Sequence, residues 1–537
     1  HQEVTPANPQ PQVERQRVRS ISPSDFPNGL STLRTTSKQS VPTPPATKTL
    51  QQFQVNLQTL CDDRLLSMVP FTAMHDARHA FKKADADLRS DRGTARNGGQ
   101  IVMTRRALVL LEGHRSIGLL YVKAAQHLGF HPITLSADPT QYGYLAAERL
   151  EAVRVDTDDL DALIDECSRL GAIYDIAGIT GFVTPGESVT GFVTPGESVY
   201  STVGKLCRHF DLPGPNPASI ERCCDKFVQR QYLAEAGVPQ PVYRLAADAT
   251  EVESSAADIG LPVVVKPAVG NGSTGVRLCR NVDELGEHTT YLLGGKHVWR
   301  TSPRIMVEEF AQGLQYSAYT MGNEVIGICA AEFGPLPHFV YRHFTFPAPL
   351  TDDEHKRIAD VSLSCLRALG LGWGPAHVEL RWTKRGPVVI EVNPRLPGGT
   401  TPRLIQLAYG IDLVTEHIKL VIGEEWDLRR RHSHIATARF LVPDRDGILD
   451  WIDGDSLAAA IPGVVEVKLY VEPKTPIVRK GDYRDTIGHV IAASASPAET
   501  KVILQHAVGL LDWSITPFPA LGEREQSGAS HLPVGKR

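Results

Sequence analysis

The sequence predicts a multidomain chain of mixed α/β and α+β type. Three features carry that reading. A strand-helix-strand pattern opens at Arg106, a lysine-bearing strand runs into a glycine-rich loop after Lys266, and a hairpin from Ala376 to Arg395 sets two glutamates opposite each other.

Residues 1–50 are rich in Pro, Ser, Thr and Gln without period, and the extension 1–100 is expected to be largely disordered, with helical hints at Leu57, Leu60, Leu65, Ala80 and Phe81. Ala107–Leu111 then reads as an apolar strand, Leu119–Leu128 as a helix closed at Gly129, and Pro132–Ser136 as the next strand, which predicts a Rossmann-like α/β domain over 101–215. Gly113 and Gly118 bracket a strand-to-helix turn; no Lys-Ser/Thr follows, so it is not a phosphate loop. Thr180–Val189 recurs unchanged as Thr190–Val199, and two copies make a loop insertion or a recording artefact, not a solenoid. The breaker cluster Pro213–Pro217 marks a boundary. Strand and helix patterns continue from 216 to 435, an α+β segment fills 436–520, and 521–537 is a loose tail.

Composition excludes several classes. Net charge is −5 and the basic clusters are short, as at Arg429–Arg431, so no nucleic-acid footprint is expected. No apolar run approaches the roughly 20 residues of a membrane helix, and no signal-type apolar segment follows His1. Eight scattered Cys without a CxxC predict reduced thiols in a cytoplasmic enzyme.

Between Ala376 and Arg395 two alternating runs flank Lys384, Arg385 and Gly386, which fits a three-residue loop with Gly in the left-handed position. That register faces Thr383 with Pro387 and Glu379 with Glu391. Val378, Leu380, Trp382, Val388, Ile390 and Val392 share the core face; His377, Glu379, Arg381, Glu391 and Asn393 share the other. Opposed carboxylates are destabilising unless a cation joins them, and few protein oxygens completed by phosphate and water suit Mg²⁺. A solvated acidic face is the plain alternative.

Leu261–Pro267 reads as a buried strand ending in Lys266, and Gly270–Gly275 follows with Gly272, Ser273 and Thr274. Such a loop offers backbone N–H groups and a hydroxyl to phosphate oxygens, with Lys266 as a point charge at its base. Ile305–Gly313 is a strand broken by Glu308 and Glu309.

In this order these segments resemble the ATP-grasp superfamily: Asp225-Lys226, VVVKP with its glycine loop, VEEF, HVEL and VIEVNPR. The resemblance covers roughly residues 107 to 515. It implies an ATP-grasp fold, with a central lid subdomain over about 228–310, a catalytic sheet over about 311–435 and the C-terminal segment as part of the lid. It also implies that Lys226 and Lys266 contact ATP phosphates, that Glu308 and the backbone around Glu309 and Ala311 hold the adenine, and that Glu379, Glu391 and Asn393 ligate Mg²⁺, with Mn²⁺ as a substitute. Arg395 would sit over the transferring phosphoryl group. The family's ribose glutamate is replaced by Gln315, which leaves that contact in doubt. Within the superfamily the His377-x-Glu379 spacing, the Asn393–Gly399 turn and the ATARFLVP segment look most like bacilysin synthetase-type L-amino-acid ligases. That resemblance points to His343, with His338 behind it, as a histidine near the reacting carboxylate.

The implied reaction joins a small-molecule carboxylate to an amine, both expected to be amino acids, through an acyl phosphate, with ADP and phosphate released. Many α/β ligases form dimers, so a homodimer is an open expectation. Rival readings are a biotin-carboxylase-like or purine-pathway ligase and a non-catalytic nucleotide-binding regulator. No biotinyl-lysine module is visible, and the intact acids and lysines argue against a dead site.

Overall fold

The computed structural model describes residues 105–181, 196–270, 272–294 and 303–519. The extension 1–100, the tail 521–537 and residues 182–195 of the tandem repeat lie outside them.

Strands β1 (Arg106–Leu111), β2 (His131–Ser136), β3 (Glu151–Arg154) and β4 (Asp175–Gly181) form a parallel sheet in the order β3-β2-β1-β4. The interior of β1 is buried on both faces, as a central parallel strand must be. Helix Gly118–His127 follows it. The two glycines of the intervening turn make room for aromatic rings: a Cβ on Gly113 would stand 2.4 Å from the Tyr142 ring, and one on Gly118 2.3 Å from the Tyr144 hydroxyl.

The next sheet is antiparallel, from β5 (Tyr243–Ala246), β6 (Val263–Pro267), β7 (Arg277–Cys279) and β8 (Ile305–Glu309) in the order β5-β8-β6-β7. Helices Ala249–Ile259 and Val282–Gly294 bury Val252, Ala256, Leu285 and Leu292 against its Val263, Val265, Ile305 and Val307.

The remaining strands are β9 (Leu314–Met321), β10 (Glu324–Phe333), β11 (Tyr341–Phe346), β12 (Pro375–Thr383), β13 (Gly386–Asn393), β14 (Ile435–Leu441), β15 (Gly447–Asp453), β16 (Val464–Leu469), β17 (Pro476–Ile477), β18 (Gly488–Ser494) and β19 (Asp512–Thr516). Eight of them build one sheet in the order β13-β12-β9-β10-β11-β14-β18-β16; β17, β15 and β19 make a small separate one. Because β14 pairs with β11, the sheet runs straight across the expected boundary at 435/436. The C-terminal segment therefore adds β14, β18 and β16 to the large sheet.

Two apolar cores lock these layers together. β1 feeds both: Ala107, Val109 and Leu111 join Val378, Leu380, Val389 and Val392 of the hairpin in one, while Leu108 and Leu110 join Ile418 and Val421 in the other. The N-terminal sheet and the hairpin thus share buried surface that holds the site as a unit.

β13 is the edge of the large sheet, and an uncovered edge invites pairing with another chain. Helix Lys226–Glu235 covers it with side chains. Gln229 mimics a strand, donating to the Val392 carbonyl at 2.9 Å and accepting from the Val392 N–H at 2.7 Å. Arg230 donates to the Ile390 carbonyl at 2.6 Å, and the Val389 N–H donates to the Pro239 carbonyl.

The hairpin corrects one expectation and keeps another. The turn has two residues, since Thr383 pairs with Gly386, whose φ is +95°. A register shift between Glu379 and Leu380 then restores the pairing of Glu379 with Glu391. The bulge also moves Val389 into the core and leaves Ile390 on the cavity wall, the reverse of simple alternation for Ile390.

Candidate active site

A cavity of about 800 Å³, open mouth included, lies between the four-stranded antiparallel sheet and the edge of the large sheet. Its walls include Lys226, Lys266, Gly272, Ser273, Thr274, Glu308, Glu309, Ala311, Gln315, Glu379 and Glu391. Residues 226 to 391 of the chain are thereby gathered around one space.

Lys226 opens its helix, where Asp225 caps the Phe227 and Val228 N–H groups. Its Nζ lies 2.9 Å from Glu391 Oε1 and donates to the Gly270 carbonyl at 2.6 Å, so it ties the carboxylate hairpin to the glycine loop. Lys266 Nζ lies 2.6 Å from Glu308 Oε2, and Arg230 Nε 2.8 Å from Glu308 Oε1. All three groups are buried. Burial alone would raise the Glu308 carboxyl, but Arg230 and Lys266 outweigh it and bring it down to about 2. Burial acts on Lys266 in the opposite sense, below the usual amine range. Two cations share one carboxylate here, which leaves a surplus positive charge facing the cavity.

Glu308→Gln is therefore expected to destabilise the fold by about 3–5 kcal/mol, since it strands two buried cations. In the native chain this carboxylate's contribution is present above its unfolded value of about 4.5 and is lost as pH falls toward 2. Chemical denaturation at pH 7 and pH 3 checks both: the variant's deficit should shrink at the lower pH.

Glu308 is thus engaged with its two cations, and the Glu309 carboxylate turns to Arg385 at 2.8 Å. Both glutamates and Ala311 line the cavity. Arg381, on the same strand face as Glu379, sits among Phe310, Phe333 and Phe339, 5.4 to 5.7 Å from their ring centres. Its Nη1 donates to the Gly313 carbonyl at 3.4 Å and its Nε to Gln315 Oε1 at 3.2 Å. Gln315 Nε2 in turn donates to Glu379 Oε2 at 3.1 Å. Each end of the Gln315 amide thus makes one bond within the carboxylate network, and the side chain lines the cavity.

Burial and the facing Glu391 push the Glu379 carboxyl up to about 7. The same two carboxylates, after burial, raise the Tyr341 hydroxyl well above its ordinary value, and Ser273 of the glycine loop works against that rise. Asn393 is buried opposite His377 and does not line this cavity. His377 is held neutral, near 3, by burial and by Arg395. Among the described residues no group of three or more His, Cys, Asp or Glu side chains is clustered to hold a metal; the hairpin offers two acids and an amide.

Arg395 lines a second cavity instead, with His114, Tyr121, Tyr200 and His417 among its walls, yet its charge still acts on Glu379. His343 lines neither cavity. Arg439 Nη1 lies 3.0 Å from its Nε2 and Glu332 3.2 Å from its Nδ1, across β10, β11 and β14. Its expected place beside the reacting carboxylate is not where the fold puts it. His338 packs against Gly481 in the C-terminal segment.

The sequence reading gave no role to Arg230, Gln229, Arg381 or Tyr341. Arg230 and Gln229 carried a faint signal, one turn beyond Lys226 on the same helix. Tyr341 carried none.

The C-terminal segment reaches the glycine loop. The Tyr483 N–H donates to the Gly272 carbonyl at 3.3 Å, and a Cβ on Gly272, whose φ is +61°, would stand 2.4 Å from the Tyr483 ring. Gly272→Ala should raise KM for the nucleotide about tenfold through clash and backbone strain. Adding Tyr483→Ala should recover part of that loss, as steady-state titration would show.

Residues 259–402 match the ATP-grasp domain and residues 439–516 match L-amino acid ligase C-terminal domain 2. The chain belongs to the ATP-grasp ligases. The uncharacterized protein y4rH of Sinorhizobium fredii is 58% identical over 80% of this chain and 87% of its own length. Carnosine synthase 1 of Homo sapiens is 25% identical over 56% of this chain, a match that spans only 39% of the synthase. The crystal structure of an L-amino acid ligase from Bacillus licheniformis shares the fold, with a TM-score of 0.62 over 77% of this chain and 99% of that one at 19% identity. No helix among the described residues is long and apolar enough to cross a membrane.

Proposed function

We propose that this chain joins an amino acid, through its carboxylate, to the amine of a second amino acid, at the expense of ATP and by way of an acyl phosphate. The observation that carries the reading is the opposition of Glu379 and Glu391 beside Lys226, Lys266 and the glycine loop in one cavity.

In this reading the triphosphate lies along the loop 270–275, and Lys226 and Lys266 meet its oxygens. Phosphoryl transfer is chiefly positioning and charge neutralisation, which these groups supply. The residues present fit a hard cation: the raised Glu379 carboxyl marks a demand for positive charge between the two acids. Glu379, Glu391 and Asn393 would hold Mg²⁺, or Mn²⁺ in its place, and the ion would offset charge on the phosphates. A donor carboxylate oxygen attacks the γ-phosphorus and the bond to ADP breaks. The amine nitrogen then attacks the acyl carbon, loses its proton and expels phosphate. Arg395, a planar fork of donors, holds the donor carboxylate and then the acyl phosphate. Tyr483 on Gly272 keeps the loop down over the intermediate and excludes water. A cytoplasmic location fits the seven cysteines of the described residues, which form no disulfide among themselves.

The test is ADP release over amino acids singly and in pairs. Turnover that requires two amino acids, with a dipeptide as product, is the expected result. Stoichiometric AMP, or turnover driven by bicarbonate alone, would reject the reading.

A further inference from the structure

Glu379 ends a chain of side chains that runs along its own face of the large sheet. Gln315 of β9 stands opposite Arg381 of β12, and Glu379 is its diagonal neighbour. Arg381 Nε donates to Gln315 Oε1 at 3.2 Å, and Gln315 Nε2 donates to Glu379 Oε2 at 3.1 Å.

The chemistry of the three groups allows only one direction for this chain. A guanidinium carries donors and no acceptor, so it takes the amide by its oxygen. The NH₂ end is then turned to the carboxylate, which accepts. The flipped amide would set N–H groups against a cation and an oxygen against an anion. Without the cation the amide has no reason to prefer one orientation, and half of its orientations repel Glu379.

Arg381 is itself held firmly. Its guanidinium carbon lies 5.5 Å from the Phe310 ring centre, 5.7 Å from that of Phe333 and 5.4 Å from that of Phe339. The three rings come from the end of β8, the end of β10 and the turn before β11, so the box is built by separate parts of the fold. Burial there pulls the guanidinium below its usual range and the Glu379 charge pulls it back. Among the described residues no carboxylate pairs with it directly, so its link to Glu379 passes through the Gln315 amide. Nη1 also makes long contacts with the Ala311 and Gly313 carbonyls, at 3.5 and 3.4 Å.

We propose that Arg381 is a positioning residue: by fixing the Gln315 amide it presents Glu379 as an oriented carboxylate to the divalent cation that accompanies the nucleotide. The inference rests on the ligase reading above, which gives Glu379 to that cation. A ligating carboxylate gains its direction from the groups that hydrogen-bond it from behind, and their loss weakens the metal.

The test measures binding of the non-hydrolysable ATP analogue AMP-PNP to the full chain by calorimetry over a range of Mg²⁺, with ADP in EDTA as the metal-free reference. In the parent chain, binding of AMP-PNP should tighten as Mg²⁺ is raised. Arg381→Met, which fills the aromatic box without a charge, should raise the Mg²⁺ concentration at half effect about tenfold and leave the Kd of metal-free ADP within about twofold. Gln315→Met should do the same, and the double variant should be no worse than either alone, because the two residues act in series. Arg381→Lys, which still donates to the amide oxygen, should recover part of the shift. Arg381→Gln, which can show Gln315 either a donor or an acceptor, should not. Melting curves identify a variant that fails to fold; if Arg381→Met does so, Gln315→Met and Arg381→Gln carry the test. An unmoved Mg²⁺ requirement in the folded variants would overturn the assignment and leave the ligase reading standing. So would metal-free ADP that weakens as much as AMP-PNP, since Arg381 would then serve only the turn at 311–313. A parent chain whose AMP-PNP binding ignores Mg²⁺ would overturn both.

Discussion

Glu379→Gln should cut ATP turnover by about 10²–10³-fold while the nucleotide-free protein melts at the same temperature or higher. The two effects have opposite signs because the carboxylate is costly to the fold. It is half-buried, faces Glu391 across the hairpin, and is pushed up to about 7 by desolvation and that neighbour. An amide removes the repulsion, and its oxygen can still accept from Gln315. A group kept at a cost to stability is the signature of a site selected for chemistry. Thermal melting beside steady-state ADP release separates the two effects. A variant less stable than the parent, with activity intact, would mean that Glu379 serves only the fold.

Arg395→Ala should lower kcat by about 10²–10³-fold and leave KM for ATP nearly unchanged. The side chain lines the second cavity and not the first, so the ground-state nucleotide does not depend on it. Its charge acts on Glu379 and on Tyr341, which puts it at the seam where the donor carboxylate would meet the γ-phosphate. Arg395→Lys should recover little, because a point charge does not reproduce a planar fork. A large rise in KM for ATP would place the residue on the nucleotide instead.

The parts of this site that could be read in advance are local. Period-two alternation and a Gly at the turn face Glu379 with Glu391 only because two departures cancel, a turn one residue shorter than predicted and a bulge after Glu379, whereas VVVKP followed by a glycine loop announces its own geometry. The bulge stayed hidden because Val388, Val389 and Ile390 are all apolar, so shifting one residue between faces leaves no trace in the pattern. Arg230 reads as a surface residue of a helix; only Glu308, far along the chain, makes it a buried cation. His343 was misplaced for a similar reason. Its surroundings depend on β14 pairing with β11, and that long-range choice brings Arg439 to the imidazole. The same pairing carries the C-terminal strands into the catalytic sheet. Asn393 shares the polar face of the hairpin with Glu391, opposite His377.

The account rests on transfer of a phosphoryl group to a carboxylate, and isotope tracing tests that step directly. A donor amino acid labelled with ¹⁸O in its carboxylate should deliver one labelled oxygen to inorganic phosphate for each amide bond formed, with ADP as the other nucleotide product. Label recovered in AMP, or phosphate that carries none while amide accumulates, would contradict it.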